Sequence, residues 1–103
     1  MPYQIPGAQR ITAGSAIGAS GKPKRVFFVS MACNASTAGT LTLYDAASAA
    51  STANIFVTLI GQAGSGNIFD LGGEGIRFPN GCFAECSANS GIAYAVIVYQ
   101  EEK

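Results

Sequence analysis

Short runs of β-branched and aromatic residues, each cut off by Gly, Asn or Pro, recur along this chain. No stretch holds a helical period with large apolar residues, so these runs read as strands. Residues 25–31 (RVFFVSM) are apolar on both alternating faces and read as a central strand covered on both sides. Residues 40–44 alternate strictly, with Leu41 and Leu43 opposing Thr40, Thr42 and Tyr44. Residues 54–60 place Ile55, Val57 and Leu59 on one face. Residues 67–71 and 75–78 follow, the latter stopped by Pro79-Asn80-Gly81. Residues 82–87 turn Cys82, Ala84 and Cys86 inward and Glu85 outward. Residues 92–99 oppose Tyr94, Val96 and Val98 to Ala95, Ile97 and Tyr99. A weaker strand lies near residues 9–13. The one helix-leaning window, DAASAASTA at 45–53, has Asp45 to cap a turn but no large apolar residue to anchor a helix. It reads as a loop or at most one turn.

The expected fold class is therefore all-β: a single antiparallel β-sandwich or jelly roll of about seven to eight strands. No helix alternates with the strands, which argues against a parallel sheet. The 103 residues suffice for one domain. The expected division is an extended N-terminal arm at 1–7 and a single sandwich domain at 8–103. The expected core draws on Ile11, Ile17, Val26, Phe27, Phe28, Val29, Leu41, Leu43, Ile55, Val57, Leu59, Phe69, Ile76, Phe78, Phe83, Val96, Ile97 and Val98. Ala, Gly, Ser and Thr supply 45 of the 103 residues, so the outer faces should be flat and Ala/Ser-rich. A domain with so few surface charges tends to stick to itself, unless an assembly buries those faces.

The chemistry-bearing residues are sparse. There is no His, which removes every triad, zinc site or proton shuttle built on imidazole. The formal net charge is zero, against the basic stripes that nucleic acids select. No catalytic residue, metal ligand or cofactor is expected. The N-terminus lacks a basic region followed by an apolar run, so no signal peptide is expected. The charge-free stretch at 46–69 is too polar for a lipid-facing helix. Cys33, Cys82 and Cys86 read as small half-buried apolar residues in a reducing compartment. Asp70 reads as a strand end and Glu74 as a solvated turn residue rather than a carboxylate pair. Gly61-Gln62-Ala63-Gly64-Ser65-Gly66 lacks the Lys-Ser/Thr ending of a phosphate loop and reads as a hairpin connection. Gly72-Gly73 with Gly75 fits a turn needing positive φ. Lys22, Lys24 and Arg25, with Arg10 nearby, form the one basic cluster. They read as a solvated strand entry or an electrostatic contact to a neighbouring subunit. Tyr3, Tyr44, Tyr94 and Tyr99 could stack sugars, but scattered tyrosines more often sit on sheet faces and subunit contacts.

The second half carries a recognisable pattern: GTLTLYD at 39–45, an Ala/Ser-rich loop, IFV at 55–57, FDLG at 69–72, GIRFPNGCFA at 75–84 and AYAVIVY at 93–99. It resembles small β-sandwich virion proteins of tailed bacteriophages across roughly residues 24–99. The resemblance implies a non-enzymatic virion structural protein, foremost a capsid decoration (cement) protein on the capsid exterior, made in the host cytoplasm. It implies partners in the major capsid protein and copies of the chain itself, as a homotrimer at a local three-fold. Expected contact residues are Pro2, Tyr3, Ile5 and Pro6 in the arm, with Arg10, Lys24, Arg25 and Tyr99. A tail, baseplate or fibre-tip component and a small carbohydrate-binding sandwich for host adhesion are the alternatives.

Overall fold

The computed structural model describes residues 7–34, 36–47, 54–86 and 91–101. They form nine strands and no helix: β1 (Gly7–Ile11), β2 (Ser15–Ile17), β3 (Lys24–Cys33), β4 (Gly39–Asp45), β5 (Ile55–Gly61), β6 (Gly66–Asp70), β7 (Ile76–Phe78), β8 (Cys82–Cys86) and β9 (Ile92–Glu101). All pairings are antiparallel. One sheet runs β1-β9-β3-β6, with β7 also on β3, and the other runs β2-β8-β4-β5. The two sheets pack together as an all-β sandwich.

The pairings nest. β1 lies on β9, β2 on β8, β3 on β6 and β4 on β5. The chain is thus one long antiparallel ribbon, closed at the β4–β5 end and rolled up. The β3–β9 and β4–β8 pairs join its successive turns, which is the jelly-roll wrapping. The one strand beyond those expected is β2, which is three residues long, while β7 is the strand expected at 75–78. Pattern reading misses β2 because three residues show no period.

The core lies between the sheets and follows the alternation in the sequence. Val26, Val29, Met31, Leu41, Leu43, Ile97, Ala84, Ala95 and Phe78 are fully buried, with Ile11, Ile17, Leu59 and Cys82 beside them. Three expectations need correction. β3 is central in its sheet but is not covered on both sides, because Phe28 on its outer face is 38% exposed. Ile55 is exposed, because β5 bulges opposite the step from Leu43 to Tyr44. Phe56 is the extra residue there, and its ring lies 5.0 Å from that of buried Phe78. Finally, residues 61–66 are not a hairpin. They carry the chain from β5 in one sheet to β6 in the other. Gly64 N–H donates to Asn34 C=O at 2.6 Å and pins that arch to the end of β3.

β6 and β7 flank the same side of β3 in line, separated by residues 71–75. β3 bulges at Phe27, opposite the gap, and Leu71 N–H donates to Phe27 C=O at 2.9 Å. The gap is a tight turn with Gly72 at φ 100° and Gly75 at φ 71°. A Cβ on Gly75 would lie 2.7 Å from the Val26 carbonyl oxygen, so this turn requires glycine. The helix-leaning window falls mostly outside the described residues. Its first residue, Asp45, caps a different turn: its carboxylate accepts from Asn80 N–H at 2.8 Å and from Asn80 Nδ2 at 3.0 Å.

Candidate interaction surface

Antiparallel register fixes which side chains share the outer face of the five-stranded sheet. One row runs Ala8, Val98, Phe28 and Asp70. The next runs Arg10, Val96, Ser30 and Ile68, and a third runs Tyr94, Ala32 and Gly66. The intervening rows, such as Ile11, Ala95 and Met31, face the core. The outer face therefore carries Val96, Val98, Phe28, Ile68 and Tyr94 as one apolar surface. Ile68 is 74% exposed, the most exposed large apolar side chain among the described residues. This corrects the expectation of flat Ala/Ser faces and of Phe28, Val96 and Val98 as core. In sequence, an apolar face that meets solvent reads the same as one that meets a second layer.

The interruption between β6 and β7 makes this face concave at one point. Phe27, Phe28, Ile68, Asp70, Gly72 and Gly73 line an open depression of about 410 Å³. Asp70 ends β6, as expected, and its Oδ1 accepts from Gly72 N–H at 2.9 Å. Glu74 is exposed in the turn beyond, and its carbonyl accepts from Arg25 Nη1 at 3.2 Å.

The charges frame the apolar rows. Arg10 sits on β1 at one side, its guanidinium carbon 4.6 Å from the centroid of the Tyr94 ring, within cation–π range. Asp70 lies on β6 at the opposite side. Arg25 on β3 pairs in register with Arg77 on β7, which makes one end of the face basic. Arg10 and Arg25 do not cluster. Their register partners on β9 are Val96 and Gln100, which sets them about 13 Å apart along the strand and on opposite sides of it.

Of the remaining expected contact residues, Lys24 is not a surface cation. It is fully buried, and its ammonium donates to the carbonyls of Ala19 and Lys22 (2.8 Å to the latter). Glu101 Oε1 lies 4.0 Å from Lys24 Nζ and also accepts from Ala19 N–H at 2.6 Å. Burial lowers the pKa of Lys24, and the Glu101 carboxylate opposes that shift. The group thus ties the β2–β3 turn to the end of β9 and is spent inside the chain. Tyr99 is half-buried against the core. Its ring lies where a Cβ on Gly7 would come within 2.9 Å of it, so the ring occupies space that a larger residue at position 7 would need. Gly7, taken as the end of the arm, is the first residue of β1. Pro2, Tyr3, Ile5 and Pro6 lie outside the described residues.

The three described tyrosines do not form a platform, and Tyr3 lies outside the described residues. Tyr94 stands on the outer face under Arg10, Tyr44 is buried in the other sheet, and Tyr99 packs on the core. Cys33, Cys82 and Cys86 are free thiols. Burial pushes the Cys82 thiol up to about 12 and also raises that of Cys86. Both are therefore thiols rather than thiolates at neutral pH, and poor nucleophiles. Among the described residues no three His, Cys, Asp or Glu side chains converge on a metal position. The outer face of the four-stranded sheet carries Thr42, Thr58 and Glu85 in one row, Thr40 with exposed Ile60 in the next, and Tyr44 with Phe83 and exposed Ile55 in a third.

Comparison of the chain with protein-family models, with curated proteins and with solved structures finds no match.

Proposed function

We propose that this chain is a non-enzymatic structural subunit of a tailed-phage particle. In this reading it is a capsid decoration protein that lays its five-stranded sheet against neighbouring capsid subunits. The observation that carries the reading is the outer face of that sheet. Val96, Val98, Phe28, Ile68 and Tyr94 form an apolar surface ringed by Arg10, Asp70, Arg25 and Arg77. An apolar centre with a charged rim is the anatomy of a protein–protein contact. The phage context comes from the sequence pattern of residues 39–99, and jelly rolls recur in viral shells, which is support by analogy of fold. A sandwich of hydrogen-bonded strands is stiff, as a brace between subunits must be. Binding only the assembled shell would stabilise that shell by mass action.

A carbohydrate-binding role is the second reading, favoured by one feature. The depression is lined by both Phe28 and Asp70, register partners on β3 and β6, and an aromatic residue with a carboxylate acceptor suits a sugar.

The test is binding of the purified chain to particles that lack it. Wild type should bind saturably. Ile68→Asp should bind at least tenfold more weakly with an unchanged melting temperature. Equal binding by both, or none by either, would overturn the assignment. Saturable glycan binding that Phe28→Ala abolishes would favour the second reading.

A further inference from the structure

A sandwich exposes strand edges, and an unprotected edge pairs with other chains. Among the described residues this one has four, and they differ. β1 carries the charge of Arg10. β2 is only three residues long. β6 is five residues long and ends in Asp70. β5 has none of these safeguards. It is seven residues, IFVTLIG, without a charge or a proline, and among the described residues only β4 pairs with it. Its exposed Ile60 is 66% open to solvent. The bulge at Phe56 interrupts its N-terminal part, so the regular stretch is residues 57–61.

We propose that β5 is a pairing edge for a second copy of this chain, joined antiparallel about a two-fold axis. The occupant must itself offer an uncharged apolar strand, and β5 is the strand edge of this molecule that does so. Centred on Leu59, the pairing sets Thr58 against the partner's Ile60 and Val57 against the partner's Gly61, with no like charges opposed. Each free N–H then meets a carbonyl, and two β-branched side chains meet on the outer face. The two four-stranded sheets become one of eight strands. Both β5 edges are consumed, so assembly stops at two copies. The strip is about 17 Å long and about 10 Å thick, smaller than a standard interface. The dimer should therefore be weak, dissociating in the micromolar range. This inference does not depend on the capsid assignment, and it replaces the three-fold arrangement that the resemblance implies.

The test is sedimentation equilibrium of the full chain from micromolar to several hundred micromolar, with wild type, Thr58→Lys, Ile60→Lys and Ile68→Lys. Hydrogen exchange by mass spectrometry should cover residues 55–61. All three substituted positions are solvent-exposed, and melting curves confirm folding. The expected result is a monomer–dimer equilibrium in wild type. Each β5 lysine should weaken it at least tenfold, while Ile68→Lys leaves it unchanged. Amides within residues 57–61 should exchange more slowly as wild-type concentration rises. A monomer throughout, a trimer, an open-ended polymer, or a dimer lost with Ile68→Lys but not with the β5 lysines would each overturn the proposal.

Discussion

Asp45 holds two turns at once, because it ends β4 while its carboxylate receives both Asn80 donors. Asp45→Ala leaves the Asn80 amide without its acceptor in a part-buried site, which costs about 1–3 kcal/mol. Asp45→Asn keeps one acceptor and should cost less. Urea unfolding of the two variants gives the ordering, and equal losses would contradict it. Cys82 makes a pH prediction. Its thiol ionises near 9 when unfolded but only at about 12 when folded. Below 9 both states hold the proton. Between 9 and 12 the unfolded chain loses a proton that the folded chain keeps, so stability falls as pH rises, by at most about 1.4 kcal/mol per unit. Lys24 acts in the opposite sense, since its lowered pKa makes the unfolded chain the better proton binder. The clean readout is therefore a difference. Cys82→Ala should lose stability more slowly than wild type above pH 9, and parallel curves would contradict the burial argument. At this scale the inward Cys82, Ala84 and Cys86 were legible from alternation alone. The burial of Lys24 was not, because a lysine beside an arginine at a strand entry reads as solvated.

The interrupted strand β6–β7 shows how an element acquires its shape. Sequence marks the break through Gly72, Gly73 and Gly75, and φ values of 100° and 71° at Gly72 and Gly75 confirm why glycine stands there. It does not reveal that the Phe27 bulge lies opposite the break, since a bulge leaves no mark on an already apolar run. Gly75→Ala should lose about 1–2 kcal/mol or more, from positive φ and the Val26 carbonyl 2.7 Å away. Gly66→Ala, with nothing within 4 Å of its Cβ, is the matched control and should be nearly neutral. Equal effects in thermal melts would mean that the turn tolerates rearrangement. In sequence the arch at 61–66 reads as a hairpin for a plain reason. Two strands joined by a short Gly-rich loop look alike whether they pair or cross between sheets.

For the whole molecule, the sequence specified a sandwich but not its strand order. The nested pairs β1–β9 and β2–β8 join residues from opposite ends of the chain, and local pattern carries no information about such distant partners. The same limit hid the candidate surface. Phe28, Val96 and Ile68 come from three strands, and only register shows that they share a row or adjoin one another. Replacing all three cysteines with Ala should keep the fold at a modest cost, from small cavities at Cys82 above all. Loss of cooperative unfolding in that variant would point to a role beyond packing.

In the proposed role, the chain is a stoichiometric part of a shell. The most direct measurement is its copy number in purified particles, by quantitative mass spectrometry against the major capsid protein. A decoration protein should give a ratio near one per capsid subunit, or another simple lattice fraction. A handful of copies would place the chain at the tail or a vertex and contradict decoration, and absence from particles would contradict the structural role altogether.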